Sequence, residues 1–233
     1  MLSKFFQQPL GKYVQALLKE WLNHSQLKTG PNDVIIAPSV WREALKVLFV
    51  EPIFLRTDDT SLDISYDLQA LPLKSESVST IVCPNVIEYL TDPFPFMREC
   101  HRVLEADGKL HLAFLNSWSL WRVFFAVTKF FSSKEKLGFS SQLRIKECLD
   151  LLGFEVIEVK SAGYIIPIND PLFINLQQFF DKLLQKINFP CGAMTMLVAQ
   201  KKTIPLTPIQ QQVLAAKKLE SDSVLELGIW VHE

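Results

Sequence analysis

Short, wholly apolar runs alternate along this chain with longer segments whose apolar positions recur every three or four residues. From Leu10 to Leu22 the positions Leu10, Val14, Leu17, Leu18, Trp21 and Leu22 share one helical face, which predicts an amphipathic leading helix. Asn23 to Asn32 is polar and carries the breaker Gly30-Pro31. Val34-Ile35-Ile36-Ala37 then has the pattern of a parallel strand covered on both faces. Trp41 to Leu48 suits a short helix, Phe49 to Leu55 a strand interrupted by Pro52, and Ser61 to Ser65 a third strand. Ser79 to Cys83 is the clearest central strand.

Asp92-Pro93 predicts a helix start, with Asp as N-cap and Pro at the first helical position. The apolar face of that helix is Phe96, Met97, Cys100, Val103 and Leu104. Asp107-Gly108 marks a turn, and a left-handed turn after a helix favours Gly. A strand follows from Lys109 to Leu115. Ser140 or Ser141 caps the next helix, whose stripe is Ile145, Cys148, Leu149 and Leu152 and whose C′ residue is Gly153. Phe154 to Val159 is a strand, Pro171 to Ile187 a helix, and Ala193 to Gln200 a last strand. This alternation predicts an α/β fold with a doubly wound, mainly parallel sheet. Residues 1–32 form a leading helix and linker, 33–202 the main domain, and 203–233 an appended tail.

With 233 residues, 48% of them hydrophobic, the chain can bury one sizeable core. A net charge of −1 weighs against a phosphate-gripping nucleic-acid binder. Cys83, Cys100, Cys148 and Cys191 stand apart, with no C-x-x-C pair, and the four histidines are scattered, so no metal site is expected. The N-terminus lacks a signal-peptide apolar core, and the aromatic run Trp118 to Phe131 is broken by Arg122 and Lys129 and too short to span a bilayer. These features predict a cytoplasmic, monomeric protein without stable membrane insertion.

Ligands of doubly wound sheets bind beyond the carboxyl ends of the strands. Three strand ends carry polar residues here: Asp67-Leu68-Gln69-Ala70-Leu71-Pro72, Pro84-Asn85-Val86-Ile87-Glu88-Tyr89, and Asn116-Ser117-Trp118-Ser119-Leu120-Trp121. The ordered set Asp67 to Leu73, Asn85 to Tyr89, Asp92-Pro93, R-E-C-H-R-V-L-E-A-D-G from Arg98 to Gly108, Phe114 to Trp121, and L-D-L-L-G-F-E-V from Leu149 to Val156 resembles class I S-adenosylmethionine-dependent methyltransferases. It is closest to a bacterial small-molecule (type 11) subgroup, over roughly residues 10 to 208.

That resemblance implies a Rossmann-like, mostly parallel seven-strand sheet whose last strand, Ala193 to Gln200, runs antiparallel beside Phe154 to Val159, with S-adenosylmethionine as cofactor and a small-molecule or lipid-like methyl acceptor. It places Asp67 on the adenine amino group, the Leu68 backbone at the ring edge, and Cys83 to Tyr89, with Cys83 and Asn85, beside the methionyl part. The loop after the first strand, Ala37-Pro38-Ser39, occupies the position where the family has G-x-G. Glu51, Asp58 and Asp59 are the acidic residues nearest the ribose-binding position of the family.

Each candidate also has a plainer role. Asp67 suits a turn, and Asn85 a satisfied polar residue at a strand end. Glu88 suits a solvated carboxylate and His101 an exposed one-sided position; His111 suits a packed histidine, and Trp118 and Trp121 a cover for the sheet. No catalytic base is assigned, since methyl transfer from a sulfonium needs chiefly alignment; Asn85 and Glu88 are candidates by position. Two functions follow: a methyltransferase, or a non-catalytic relative of the same fold acting as a binding or interaction module. The Trp118 to Phe131 segment suits a lid over the acceptor pocket better than a membrane contact.

Overall fold

In the computed structural model, the described residues are 9–24, 32–38, 41, 45, 53–56, 67–127, 138–164, 171–186 and 189–202. They fall within one compact unit, Met1–Lys202; the second unit, Thr203–Glu233, which contains the expected tail, lies outside the described residues.

Helices α1 (Pro9–His24), α2 (Phe94–Val103), α3 (Leu120–Val127), α4 (Gln142–Leu151) and α5 (Pro171–Lys186) accompany strands β1 (Asp33–Ala37), β2 (Ile53–Arg56), β3 (Val78–Pro84), β4 (Leu104–Leu115), β5 (Phe154–Ala162) and β6 (Met194–Lys201). The six strands form one sheet in the order β2-β1-β3-β4-β6-β5. β1, β2, β3 and β4 pair in parallel, whereas β6 is antiparallel to both β4 and β5. The reversed last strand runs beside Phe154 to Val159, as the resemblance implies. The expected seven-strand sheet is six strands among the described residues, and the predicted strand at Ser61 to Ser65 lies outside them. Of the predicted helix at Trp41 to Leu48, only the buried Trp41 and Leu45 are described.

Alternation along the strands divides the core into two layers. On one face Ile35, Val82, Ala113, Met196 and Val198 pack under Val14, Leu18, Trp21 and Leu22 of α1. On the other, Ile36, Ile81, Leu112 and Leu197 pack against Phe96, Met97 and Cys100 of α2 and Ile145 and Leu149 of α4. β1 is buried at all five positions, as an interior parallel strand requires. His111 lies on the α1 side, almost wholly buried, its ring meeting that of Trp21 edge-on at 5.6 Å. Burial, with a smaller push from Lys109, drives its pKa down to about 3, so it is a neutral core residue.

Two turns differ in mechanism from the sequence expectation. At Asp107-Gly108 the left-handed residue is Asp107, with φ 60°, not the glycine. Gly108 is required by crowding instead: a Cβ there would lie 3.0 Å from the Glu105 carbonyl oxygen and 3.2 Å from that of Ser79. The start of α2 is shifted by one position: Pro93 is the capping residue, and Asp92 Oδ1 accepts the Phe94 N–H at 3.2 Å. Gly153, by contrast, ends α4 with φ 83°, the left-handed geometry expected of it.

The R-E-x-x-R portion of α2 has a structural purpose. Glu99 accepts the Leu71 N–H at 3.0 Å and pairs with Arg102 at 2.8 Å. Arg102 in turn donates to the Leu71 and Leu73 carbonyls at 3.1 and 3.0 Å. The segment after Asp67 is thereby fixed to the helix rather than to the sheet.

Ile81 has no exposed surface and pairs with Val34 and Leu110 on the central strands. Ile81→Ala is expected to destabilise the fold by about 2–5 kcal/mol, the usual range for truncating a buried isoleucine. Urea unfolding followed by circular dichroism measures this, and a loss under about 1 kcal/mol would place β3 outside the core.

Candidate functional site

The parallel strands β1, β3 and β4 point their carboxyl ends the same way. β3 ends in Pro84, and Asn85 then adopts φ 53°, a left-handed conformation that asparagine tolerates better than most residues. The Asn85 N–H still donates to the Ala113 carbonyl at 2.7 Å, so the ladder continues one residue past the strand. The reversal at Asn85 feeds a short 3-10 turn, Ile87–Tyr89, which swings Glu88 back toward the strand ends.

Glu88 is almost fully buried, with 3% of its surface exposed. Its Oε1 accepts two hydrogen bonds, from Asn85 Nδ2 at 2.8 Å and from the Leu115 N–H at 2.6 Å. One carboxylate oxygen thus joins the end of β3 to the end of β4. The other oxygen, Oε2, is buried without a hydrogen-bond partner, as is Asn85 Oδ1. Burial pushes the Glu88 carboxyl up to about 7, against the opposing pull of its bonds from Asn85 and Leu115. The solvated surface carboxylate expected at this position is therefore incorrect: Val86 and Ile87 enter the core and draw Glu88 inward with them.

Residues 138–140 close this corner. The Gly138 N–H donates to the Glu88 carbonyl at 2.9 Å, and the Ser140 N–H to the Leu115 carbonyl at 3.0 Å. A Cβ at Gly138 would sit 3.1 Å from the Glu88 carbonyl oxygen, so the close approach depends on glycine. Just past β4, buried Asn116 donates through Nδ2 to the Pro190 and Gly192 carbonyls at 2.7 and 3.1 Å, and its Oδ1 accepts the Trp118 N–H at 3.1 Å.

The other sequence candidates are more dispersed. Ala37 and Pro38 are buried at the end of β1, and the Pro38 carbonyl accepts the Trp41 N–H at 3.0 Å. Ser39, Glu51, Asp58 and Asp59 lie outside the described residues. Asp67 is exposed and forms a turn, its Oδ1 accepting the Gln69 N–H at 2.9 Å. Leu68 packs at the border of the α2-side core. The Cys83 side chain is also in that core, where burial and then contact with Cys100 push its thiol up. Only its backbone is left to face a ligand beyond β3. His101 is half-buried, its ring edge-on to Phe154 at 5.2 Å, rather than free on the surface. Trp121 covers the sheet as expected, but Trp118 is 76% exposed and does not. Asn116 stands in one of the three polar strand ends read from the sequence, whereas Gly138 is not singled out there; a small residue flanking an apolar run is a signal many loops share.

Among the described residues no group of three or more His, Cys, Asp or Glu is arranged to hold a metal, and no helix is long and apolar enough to cross a membrane.

The strand-end geometry coincides with a match in sequence: residues 54–112, which run from β2 through most of β4, fit the model of a methyltransferase domain. Over that segment the chain is similar to the methyltransferase-domain family. The methyltransferase fold also appears in solved structures of low sequence identity. A S-adenosylmethionine-dependent methyltransferase of Thermotoga maritima superposes with a TM-score of 0.56 at 16% identity, covering 87% of this chain and 100% of that one. One from Archaeoglobus fulgidus gives 0.55 at 14% identity, covering 82% and 94%. An uncharacterized Escherichia coli K12 protein, YafS, is 29% identical over 157 residues. That alignment takes in 64% of this chain, which spans 60% of the length of YafS.

The raised Glu88 carboxyl makes stability pH-dependent. The native state keeps this proton where the unfolded chain, with an ordinary value of 4.5, has released it. Its contribution is complete below about pH 4.5 and is lost as pH rises through about 7. The span corresponds to roughly 3 kcal/mol at most. Glu88→Gln is expected to flatten the fall in stability between those limits, measured by denaturant unfolding at a series of pH values. A variant with the same slope as the parent would show that Glu88 is not the titrating group.

Proposed function

We propose that this chain transfers the methyl group of S-adenosylmethionine to a small or lipid-like acceptor at the carboxyl ends of β1, β3 and β4. The observation that carries the reading is the buried Asn85–Glu88 pair, with one acceptor oxygen on each residue left without a donor. Buried polar atoms normally find partners. A ligand presenting an ammonium and a positively charged sulfur suits two such oxygens, and the fit with the family's cofactor follows from that chemistry.

In this proposal Asp67 takes the adenine amino group on its exposed carboxylate, and the Leu68 backbone meets the ring edge. The Asn85–Glu88 corner, with the Cys83 backbone, borders the methionyl part. The Ala37-Pro38-Ser39 turn borders the cofactor from β1. The cofactor supplies an activated methyl on a good leaving group. The chain's task is to hold the two reactants in line, which by itself lowers a barrier by several kcal/mol. A strand corner tied by one buried carboxylate is a rigid wall for that purpose. Glu88 acts here as a positioning residue, holding Asn85 and Leu115 in place.

The β1 end is the least favourable part of the site. Pro38 has no N–H to donate, and Ala37 carries a Cβ where a glycine would leave space. Binding weaker than in glycine-loop relatives follows from that turn.

Calorimetric titration with S-adenosylmethionine and with its demethylated product tests the reading. One site is expected, and Asp67→Ala should weaken binding by about 1–3 kcal/mol while leaving the fold intact, the scale of a lost hydrogen bond to a buried partner. No binding at millimolar cofactor to a folded protein would overturn the proposed transferase function.

A further inference from the structure

Beyond Asn116 the surface opens into a cavity of about 360 Å³, within the range of small-molecule sites. It lies between the end of β4, the first turn of α4 and the Pro190-Cys191 segment that leads into β6. Its contents sort by chemistry. Trp118 and Leu143 are 76% and 66% exposed, two large apolar groups that nothing among the described residues covers. Lys146 is the single charged side chain in the lining, and it forms no ion pair among the described residues, although Asp150 follows one turn later on α4. Gln142 Oε1 is shut off from solvent and has no donor. Ser141 makes no capping bond to its helix. Asn116, by contrast, has its amide fully engaged and shapes the wall without offering a free group.

A second groove of about 360 Å³ lies on the other side of Lys146 and has a different character. Lys146, Glu147, Asp150, Glu155 and Lys202 line it, and Lys202 already stands 3.8 Å from Glu155. That groove offers chiefly carboxylates; the cavity beside Asn116 offers Lys146, which has no ion pair among the described residues, an unpartnered acceptor and exposed apolar surface.

We infer that this cavity is the acceptor site, and that the acceptor is a flat apolar molecule carrying one anionic group and one hydroxyl or amine. The inference rests on the methyltransferase reading above, because Asn116 directly follows Leu115, the residue whose N–H Glu88 holds. The anion pairs with Lys146. The apolar body covers Trp118 and Leu143. The hydroxyl or amine hydrogen answers Gln142 Oε1, which draws the nucleophilic atom to the inner wall. In the transfer a lone pair of that atom forms the new bond to the methyl carbon, the carbon–sulfur bond breaks with its electrons left on sulfur, and the acceptor's proton passes to water.

Cys191 lines the same cavity and provides a reporter that needs neither cofactor nor turnover. The full chain is treated with iodoacetamide, and alkylation of Cys191 is followed by mass spectrometry. Cys148, half-buried and outside the lining, serves as the internal reference. The probes are 4-hydroxybenzoate and its neutral counterpart 4-hydroxybenzamide. The acid is expected to protect Cys191 at concentrations about tenfold lower than the amide, the scale of one charge-assisted contact. Lys146→Gln should remove that difference, with an unchanged thermal midpoint because Lys146 holds no structural pair. Equal protection by acid and amide, or a Lys146→Gln variant that still prefers the acid, would overturn the assignment of the anion to Lys146. No protection by either probe, in a preparation that binds S-adenosylmethionine, would remove the cavity as the acceptor site and leave the transferase reading standing. Protection in a preparation that does not bind the cofactor would do the reverse.

Discussion

One carboxylate oxygen fixes the carboxyl end of this sheet. Glu88 Oε1 receives both the Asn85 amide and the Leu115 N–H. Parallel strands diverge once their ladders end, since nothing in the loops beyond need pair. Here the ladder between β3 and β4 runs to Pro84 and Ala113, is prolonged by the Asn85 N–H, and is then closed by a side chain. The left-handed turn at Asn85, the inward course of Val86 and Ile87, and the approach of Gly138 to the Glu88 carbonyl all serve that closure.

A buried acid with an unanswered oxygen costs stability. Folds retain such groups where a backbone has to be held in an unusual shape or where a ligand completes the bonding. The first condition holds at this corner, and the cofactor site proposed above supplies the second, where doubly wound sheets bind their ligands. The local instability and the inferred function thus have the same origin.

Much of the architecture could be read directly from the chain. The helical stripe of Val14, Leu18, Trp21 and Leu22 and the all-apolar β1 follow from spacing and hydropathy, whereas the reversal of β6 came with the family resemblance. The motif order around Arg98 to Gly108 pointed to the same methyltransferase-domain family that residues 54–112 match. The site was less legible. Whether Glu88 points to water or inward depends on the path of three residues in a 3-10 turn, and helical periodicity has no hold on so short an element. Gly108 could be recognised as necessary but not for the right reason, because the crowding comes from the Glu105 carbonyl folded back along its own strand and the Ser79 carbonyl of neighbouring β3. Cys83 was placed by sequence position, while the pleat turned its side chain toward Cys100. In each case the missing information is tertiary: which neighbour a residue meets, not which element it occupies.

The clamp formed by Glu99 and Arg102 has a further consequence. It ties the Leu71 to Ser75 segment to α2 through contacts made by two side chains spaced one helical turn apart. The placement of that loop is therefore a matter of phase. A single-residue insertion early in α2 would rotate both side chains by about 100° around the helix axis. The core face could slip to a neighbouring stripe and recover, but the loop would lose its anchor altogether. Length variation in such a chain is thus free in the loops and forbidden in the first turns of one helix, a frame constraint set by geometry rather than by hydrophobicity.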